Sequence, residues 1–359
     1  MLSEKILKYF NRNYCTSKYY FSPNWIVLGV NNVCNLHCKM CDVGTQNLTT
    51  NFAKNLVGTS PLNMPLDLIK KVIDQTHTYY PKAKIGYAFT EPLVYPYLQE
   101  SLAYCKSKKI QTSITTNGLT LKKHAEELVK NGLGELNISL DGPQEIHNHI
   151  RGNQKSFQKA IEGIKEIFKY NPKQEVSVYC VITEWNIGEL VNFVSYLKEF
   201  PLKNIGFMHA NFTTNNIAET HNSIFGDKYF ATTSNLDEIN FDNYDFDLLW
   251  EEIKQIKQLN DNRIVFSPEI ESFEKLKTFY FSPETKIKNE CREVYSSIMI
   301  KSDGSVIPAH GRCYNLTIGN LHNNNLNEIW NSVVMTTFRK DLKKNNGMLT
   351  ACTRCCSAI

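Results

Sequence analysis

The sequence lacks most features that would place a protein at a glance. No apolar run reaches the roughly 18 residues of a membrane-spanning helix. Met1 to Tyr20 mixes Lys, Arg, Asn and Tyr and holds no apolar stretch of the secretory-signal kind. There is no basic block and no internal repeat. The 40 Lys+Arg stand against 36 Asp+Glu, a net charge of +4. That balance gives no reason to expect a nucleic-acid or membrane partner. With 42% hydrophobic and 21% charged residues over 359 positions, the chain is neither disordered nor collagen-like. It is long enough for two domains, or for one large barrel with an appendage.

Cysteine, by contrast, is plentiful. The chain has 11, an odd number, in a sequence with no secretory segment. A disulfide framework is therefore disfavoured, and thiols in a reducing, cytoplasmic setting are expected to bind metal. Eight fall into two groups: Cys34, Cys38 and Cys41, then Cys291, Cys313, Cys352, Cys355 and Cys356.

Residues 25–212 alternate between two textures. Short apolar runs predict strands at Trp25–Val30, Lys84–Phe89, Ile110–Thr115, Glu135–Leu140, Val176–Ile182 and Asn204–His209. Between most of them lie helical patterns such as Phe157, Ala160, Ile161, Ile164 and Phe168. Such alternation implies right-handed crossovers and a parallel sheet, with ligands at the C-terminal strand ends. Residues 1–24 form an N-terminal segment, and 213–284 read as a linker, loop-like to about Asn243 and helical near Tyr244–Leu259. Residues 285–359 read as a second domain, with a hairpin turning at Asp303-Gly304 and one helix from Leu326 to Leu342.

Cys34-Asn-Leu-His-Cys38-Lys-Met-Cys41 directly follows the first predicted strand. Three thiolates on one loop suit an iron–sulfur cluster with one open iron, and a structural zinc loop is the competing reading. Three further segments fall on successive strand ends: Ala88-Phe89-Thr90-Glu91-Pro92, Thr115-Thr116-Asn117-Gly118 and Ile138-Ser139-Leu140-Asp141-Gly142-Pro143, the last followed by His147, Arg151 and Gly152. Alone, Asn117-Gly118 and Asp141-Gly142 are ordinary turn signals.

Together with the cysteine loop, these segments resemble the radical S-adenosylmethionine (SAM) enzymes, through most of residues 25–210. The resemblance implies an α/β fold with a partial (β/α)6 barrel, a 4Fe–4S cluster on Cys34, Cys38 and Cys41, and SAM chelating the open iron. It implies a 5′-deoxyadenosyl radical that removes a substrate hydrogen, and an external one-electron reductant of the flavodoxin or ferredoxin kind. Cofactor-binding residues by this resemblance are Met40 near the adenine, Thr90, Glu91, Asn117, Ser139 and Arg151, with Asp141 shaping the loop. One departure stands out: the family usually has Gly-Gly-Glu-Pro where this chain has Phe89-Thr90-Glu91-Pro92.

The second cysteine group is similar to the twitch or SPASM extensions of that family. Cys291, the Asp303-Gly304 hairpin, Gly319-Asn320-Leu321, Ile329-Trp330 and Cys352-x-x-Cys355 occur in the family's order. The resemblance implies one auxiliary 4Fe–4S cluster held by Cys291, Cys352, Cys355 and a fourth ligand. The family's usual cysteine after the hairpin is Ala309 here, so Cys313 is the expected fourth ligand, with His310 and Cys356 as alternatives.

Cys105 reads as core and Cys15 carries no assignment. Cys180, on the fifth strand, is either a core residue or, if turned into the barrel, a hydrogen donor of the kind an epimerase needs. His209 and Asn211 are candidates for lining the pocket. The expected function is hydrogen abstraction followed by oxidation of a small molecule such as a sugar or cyclitol derivative. Only about 24 residues precede the first strand, fewer than a peptide-leader domain needs, which tilts the expectation towards a small molecule. Peptide modification or epimerisation is the alternative within the family, and a non-catalytic metal-binding sensor the alternative outside it.

Overall fold

The computed structural model describes residues 2–15, 18–287 and 290–355. In chain order it contains α1 (Leu2–Tyr14), β1 (Trp25–Leu28), α2 (Asn51–Val57), α3 (Leu66–Tyr79), β2 (Lys84–Tyr87), α4 (Leu98–Ser107), β3 (Thr112–Thr116), α5 (Leu121–Lys130), β4 (Glu135–Ser139), α6 (Gln144–Arg151), α7 (Ser156–Tyr170), β5 (Glu175–Val181), α8 (Leu190–Leu197), β6 (Asn204–Met208), α9 (Asn215–Tyr229), α10 (Phe246–Gln258), β7 (Ile264–Ser267), α11 (Phe273–Phe281), β8 (Ser297–Ile300), β9 (Ser305–Pro308), β10 (Gly319–Asn320), α12 (Leu326–Trp330) and α13 (Val333–Lys344).

All ten strands form one sheet in the order β10-β9-β8-β1-β2-β3-β4-β5-β6-β7. The six strands expected from the alternation are parallel neighbours in sequence order. β7, inside the segment read as a linker, extends that parallel run. On the far side β8 pairs in parallel with β1, and β9 returns antiparallel.

The register separates two faces. Tyr87, Ile114, Leu136 and Val176 stand side by side on β2 to β5, and all are fully buried. The Tyr87 hydroxyl donates to Ser101 Oγ on α4 at 3.0 Å, so this face packs on the helices. Ser113, Asn137, Ser177 and Asn204 occupy the other face, where Asn137 donates to Ser113 and Asn204 to Ser177. A polar face on a parallel sheet is unusual, since both faces are normally apolar and covered.

Two predicted boundaries fail for local reasons. The stretch read as a loop contains α9, whose Thr214 cap accepts from the Ile217 N–H; its apolar spacing is hidden by Asn and Thr. The single helix expected over Leu326–Leu342 is broken, because Ser332 accepts from the Met335 N–H and starts α13 afresh. The C-terminal hairpin is joined to the barrel by a shared apolar cluster of Val27, Phe52, Leu56, Ala88, Met299 and Ile307.

Candidate metal centres

The loop after β1 is wound tightly enough to dictate its glycine. A Cβ on Gly44 would lie 2.3 Å from the Cys38 carbonyl oxygen, so no other residue lets the chain cross there. Gly152 ends α6 at φ +66°, and a Cβ there would come within 2.9 Å of the His37 carbonyl oxygen. Lys39 N–H donates to the Ile150 carbonyl at 3.0 Å, which fastens the loop to α6. Cys38 is buried and Cys34 and Cys41 are half-buried. Burial pushes the Cys38 thiol up to about 12 against the lowering pull of the Arg151 charge, with Cys41 and Cys34 adding to the rise. Burial also raises Cys34. Thiols that oppose one another's ionisation become thiolates together only around strong positive charge, which fits an iron cluster on these three residues.

The neighbouring strand ends form a continuous polar seam. Glu91 is 1% exposed, and its carboxylate accepts from the Leu93 N–H at 2.9 Å, Thr116 Oγ1 at 2.7 Å and the Asn117 N–H at 2.9 Å. Asn31 Nδ2 donates to the Glu91 carbonyl, and Asn117 Nδ2 donates to Asn35 Oδ1 at 2.7 Å. Glu91 thus braces the ends of β2 and β3 against the cysteine loop, rather than presenting a free carboxylate. Thr90 Oγ1 is taken up by the Asn31 carbonyl. Phe89, where a glycine was expected, keeps a glycine-like φ of +85°, an uncommon conformation for a bulky residue. Its ring stacks on His310 at 5.8 Å.

Arg151 is nearly buried. Its Nε donates to Asp141 Oδ2 at 2.5 Å, and its Nη1 lies 3.6 Å from Cys38 Sγ. Asp141 also accepts from the Val181 N–H, while its own N–H donates to His147 Nδ1. It therefore shapes the loop, as expected. Ser139 ends β4 on the polar face, half-buried, and Met40 is buried in the main core.

The second group also converges. Cys291, Cys313, Cys352 and Cys355 line one cavity with Asn211, Phe212 and Thr213 from beyond β6. Asn55 on α2 donates to the Gly311 and Cys313 carbonyls, fixing the loop that delivers Cys313. Arg354, inside the Cys352–Cys355 segment, donates to the carbonyls of Thr278, Phe279, Ser282 and Thr285 and holds that segment on α11. Burial raises the Cys291, Cys313 and Cys352 thiols, Cys352 to about 11, and Cys313 is raised further by Cys291, Cys352 and Cys355. His310 lines the same cavity, but its Nδ1 accepts the Arg312 N–H at 3.2 Å. Among the described residues no three His, Cys, Asp or Glu side chains close on one point as a single metal ion requires. The four thiols instead share the walls of a cavity, a donor set suited to a cluster. Cys356 lies outside the described residues.

Two stretches of the chain match known protein families. A model of the radical SAM superfamily matches residues 29–197, and one of an iron-sulfur cluster-binding domain, SPASM, matches residues 291–356. The chain carries a radical SAM domain followed by a SPASM domain. It is 29% identical over 189 residues to GTP 3',8-cyclase of Helicobacter pylori, covering 52% of this chain and 56% of that protein. It is 26% identical over 194 residues to a serine-type anaerobic sulfatase-maturating enzyme of Bacteroides thetaiotaomicron, covering 51% and 45%. The chain thus spans about half the length of the curated relatives it matches. The crystal structure of Streptococcus suis SuiB bound to precursor peptide SuiA has the same fold, with a TM-score of 0.63 at 17% identity over 98% of this chain and 75% of that one.

These two domains imply SAM, a 4Fe–4S cluster and auxiliary iron–sulfur binding at the C-terminal domain. No helix among the described residues is long and apolar enough to cross a membrane. The structure bears on two readings that the sequence left open. Cys180 stands on the helix-packed face beside Phe207, fully buried, with Asn186 Nδ2 3.6 Å from its sulfur. Its thiol is a core group turned from the polar face, which leaves the hydrogen-donor reading without geometric support. His209 is 1% exposed and bonded to the Tyr280 hydroxyl at 2.9 Å, so Asn211 lines the cavity and His209 does not. Sequence reasoning missed Asn31, Asn35 and Arg354. Their only signal was adjacency to motif cysteines.

Proposed function

We propose that this radical SAM enzyme abstracts a hydrogen atom from an unactivated C–H bond and completes a two-electron oxidation of the substrate, with one auxiliary 4Fe–4S cluster as electron acceptor. One observation carries the reading: the four C-terminal thiols line the same cavity as the strand-end residues Asn211, Phe212 and Thr213. A substrate in that cavity would lie against the auxiliary centre. When bound, SAM and its reduced cluster supply a carbon radical able to take the hydrogen atom. Cys34, Cys38 and Cys41 would hold the first cluster, and Cys291, Cys313, Cys352 and Cys355 the second. Arg151, fixed by Asp141, presents its guanidinium beside Cys38, where it would orient the SAM carboxylate. Ser139 and Asn117 would meet the rest of SAM, with Met40 beside the adenine.

Asn51, Asn211, Thr213, Thr232 and Ser234 give the cavity neutral hydrogen-bonding groups, which suit a hydroxyl-rich substrate such as a sugar or cyclitol derivative. Modification of a peptide is the second reading, favoured by the sulfatase-maturating relative and the peptide-bound SuiB. The test is an anaerobic assay with a flavodoxin-type reductant and panels of sugars, cyclitols and serine- or cysteine-bearing peptides. The proposal expects a product lighter by two hydrogens, formed with 5′-deoxyadenosine. Replacing Cys34, Cys38 and Cys41 together should abolish both. SAM cleavage by that triple variant would refute the assignment of the radical centre, and a product of unchanged mass would refute the oxidation.

A further inference from the structure

The auxiliary centre has a polar neighbour that no motif singled out. Tyr314 follows Cys313 directly and is 7% exposed. Its ring is locked between aromatic neighbours: His221 stacks on it at 5.2 Å and 15°, and Phe338 meets it edge-on at 5.9 Å and 89°. His221 is itself held, its Nε2 at the Tyr229 carbonyl and its Nδ1 accepting the Ala351 N–H. The Tyr314 hydroxyl therefore has little freedom. Among the described residues its hydrogen-bond partner is Cys352 Sγ, at 3.2 Å. A buried hydroxyl needs an acceptor, and a metal-bound thiolate can only accept, so the hydroxyl must donate.

We infer that Tyr314 is a positioning residue for the auxiliary centre: its O–H donates to the Cys352 sulfur and raises the reduction potential of the cluster that sulfur holds. Hydrogen bonds to ligand sulfurs tune iron–sulfur potentials, because they stabilise the more negative, reduced state more than the oxidised one. A raised potential suits a cluster that must accept an electron from a substrate radical. The inference rests on the reading of Cys352 as a ligand.

The experiment uses the anaerobically reconstituted full chain and follows the auxiliary cluster by potentiometric EPR titration, with iron content measured in parallel. Tyr314→Phe keeps the ring packing and removes the donor. It should retain iron and shift the reduction equilibrium about tenfold towards the oxidised form, 59 mV for a one-electron couple. Placing 3-fluorotyrosine at position 314 strengthens the donor and should shift the potential the opposite way. An unchanged potential in both variants, or iron loss in both, overturns the inference. Cys352→Ala separates the two levels: full iron retention there would remove the ligand assignment, whatever Tyr314 does.

Discussion

Replacing Asp141 by Asn is a stringent test of how the SAM-side seam is built. The carboxylate is 0% exposed, accepts from Arg151 Nε at 2.5 Å and from the Val181 N–H at 3.0 Å, and has no route to water. Asn has nearly the same shape, so Oδ1 can still receive the Val181 N–H. Its Nδ2, however, would face the Arg151 Nε–H, donor against donor, and would leave the guanidinium buried beside Cys38 without its counter-charge. Breaking a buried pair from one side costs about 3–5 kcal/mol. Arg151→Met should cost a similar amount by stranding the carboxylate. The double variant should cost clearly less than the sum, with a coupling of about 2–3 kcal/mol. Anaerobic urea unfolding of the four proteins measures this, provided the m-value is unchanged. A loss below about 1 kcal/mol for Asp141→Asn, or strict additivity, would refute the brace. SAM affinity should fall in both single variants.

Other expectations follow from the same geometry. Cys313→Ala should lower iron by about four per chain, while His310→Ala keeps it; iron analysis showing the reverse would make His310 the ligand. Cys180→Ala should cost about 1–2 kcal/mol in unfolding and leave product formation intact, and loss of product with intact SAM cleavage would return the thiol to the mechanism. Burial pushes His209 down to about 3. Between its unfolded value near 6.5 and pH 3 the unfolded chain binds a proton that the folded chain refuses, so stability falls as pH falls, by about 1.4 kcal/mol per unit. His209→Asn removes that group, and its stability should depend on pH less steeply than wild type by this amount from pH 6 to 4; parallel curves would show His209 to be solvated.

What could be read in the sequence was what repeats or clusters. The six strands show as apolar runs because their helix-facing side is wholly buried, and the cysteine spacings show because short loops fix ligand geometry. Cys180 could not be assigned from its strand alone, since a strand gives two faces and only the register with Phe207 decides between them. Cys313 could be named from sequence as the expected substitute for the missing cysteine at Ala309, yet the grip of Asn55 on its loop spans more than 250 positions of chain and leaves no local trace. α9 was invisible because its buried Ile217, Ala218 and His221 are too few among polar neighbours to set a period.

The parallel pairing of β8 with β1 has a consequence for how the protein is made. Trp25 finds its partner at Ser297, 272 positions later. At about 5–20 residues per second of synthesis, β1 waits roughly 14–54 s on the ribosome before that edge can close. During that interval its outer side, together with the apolar surface of Val27 that Met299 and Ile307 later cover, is an open template for stray strands. Slowing translation should favour aggregation of this chain more than of a barrel whose first strand closes early.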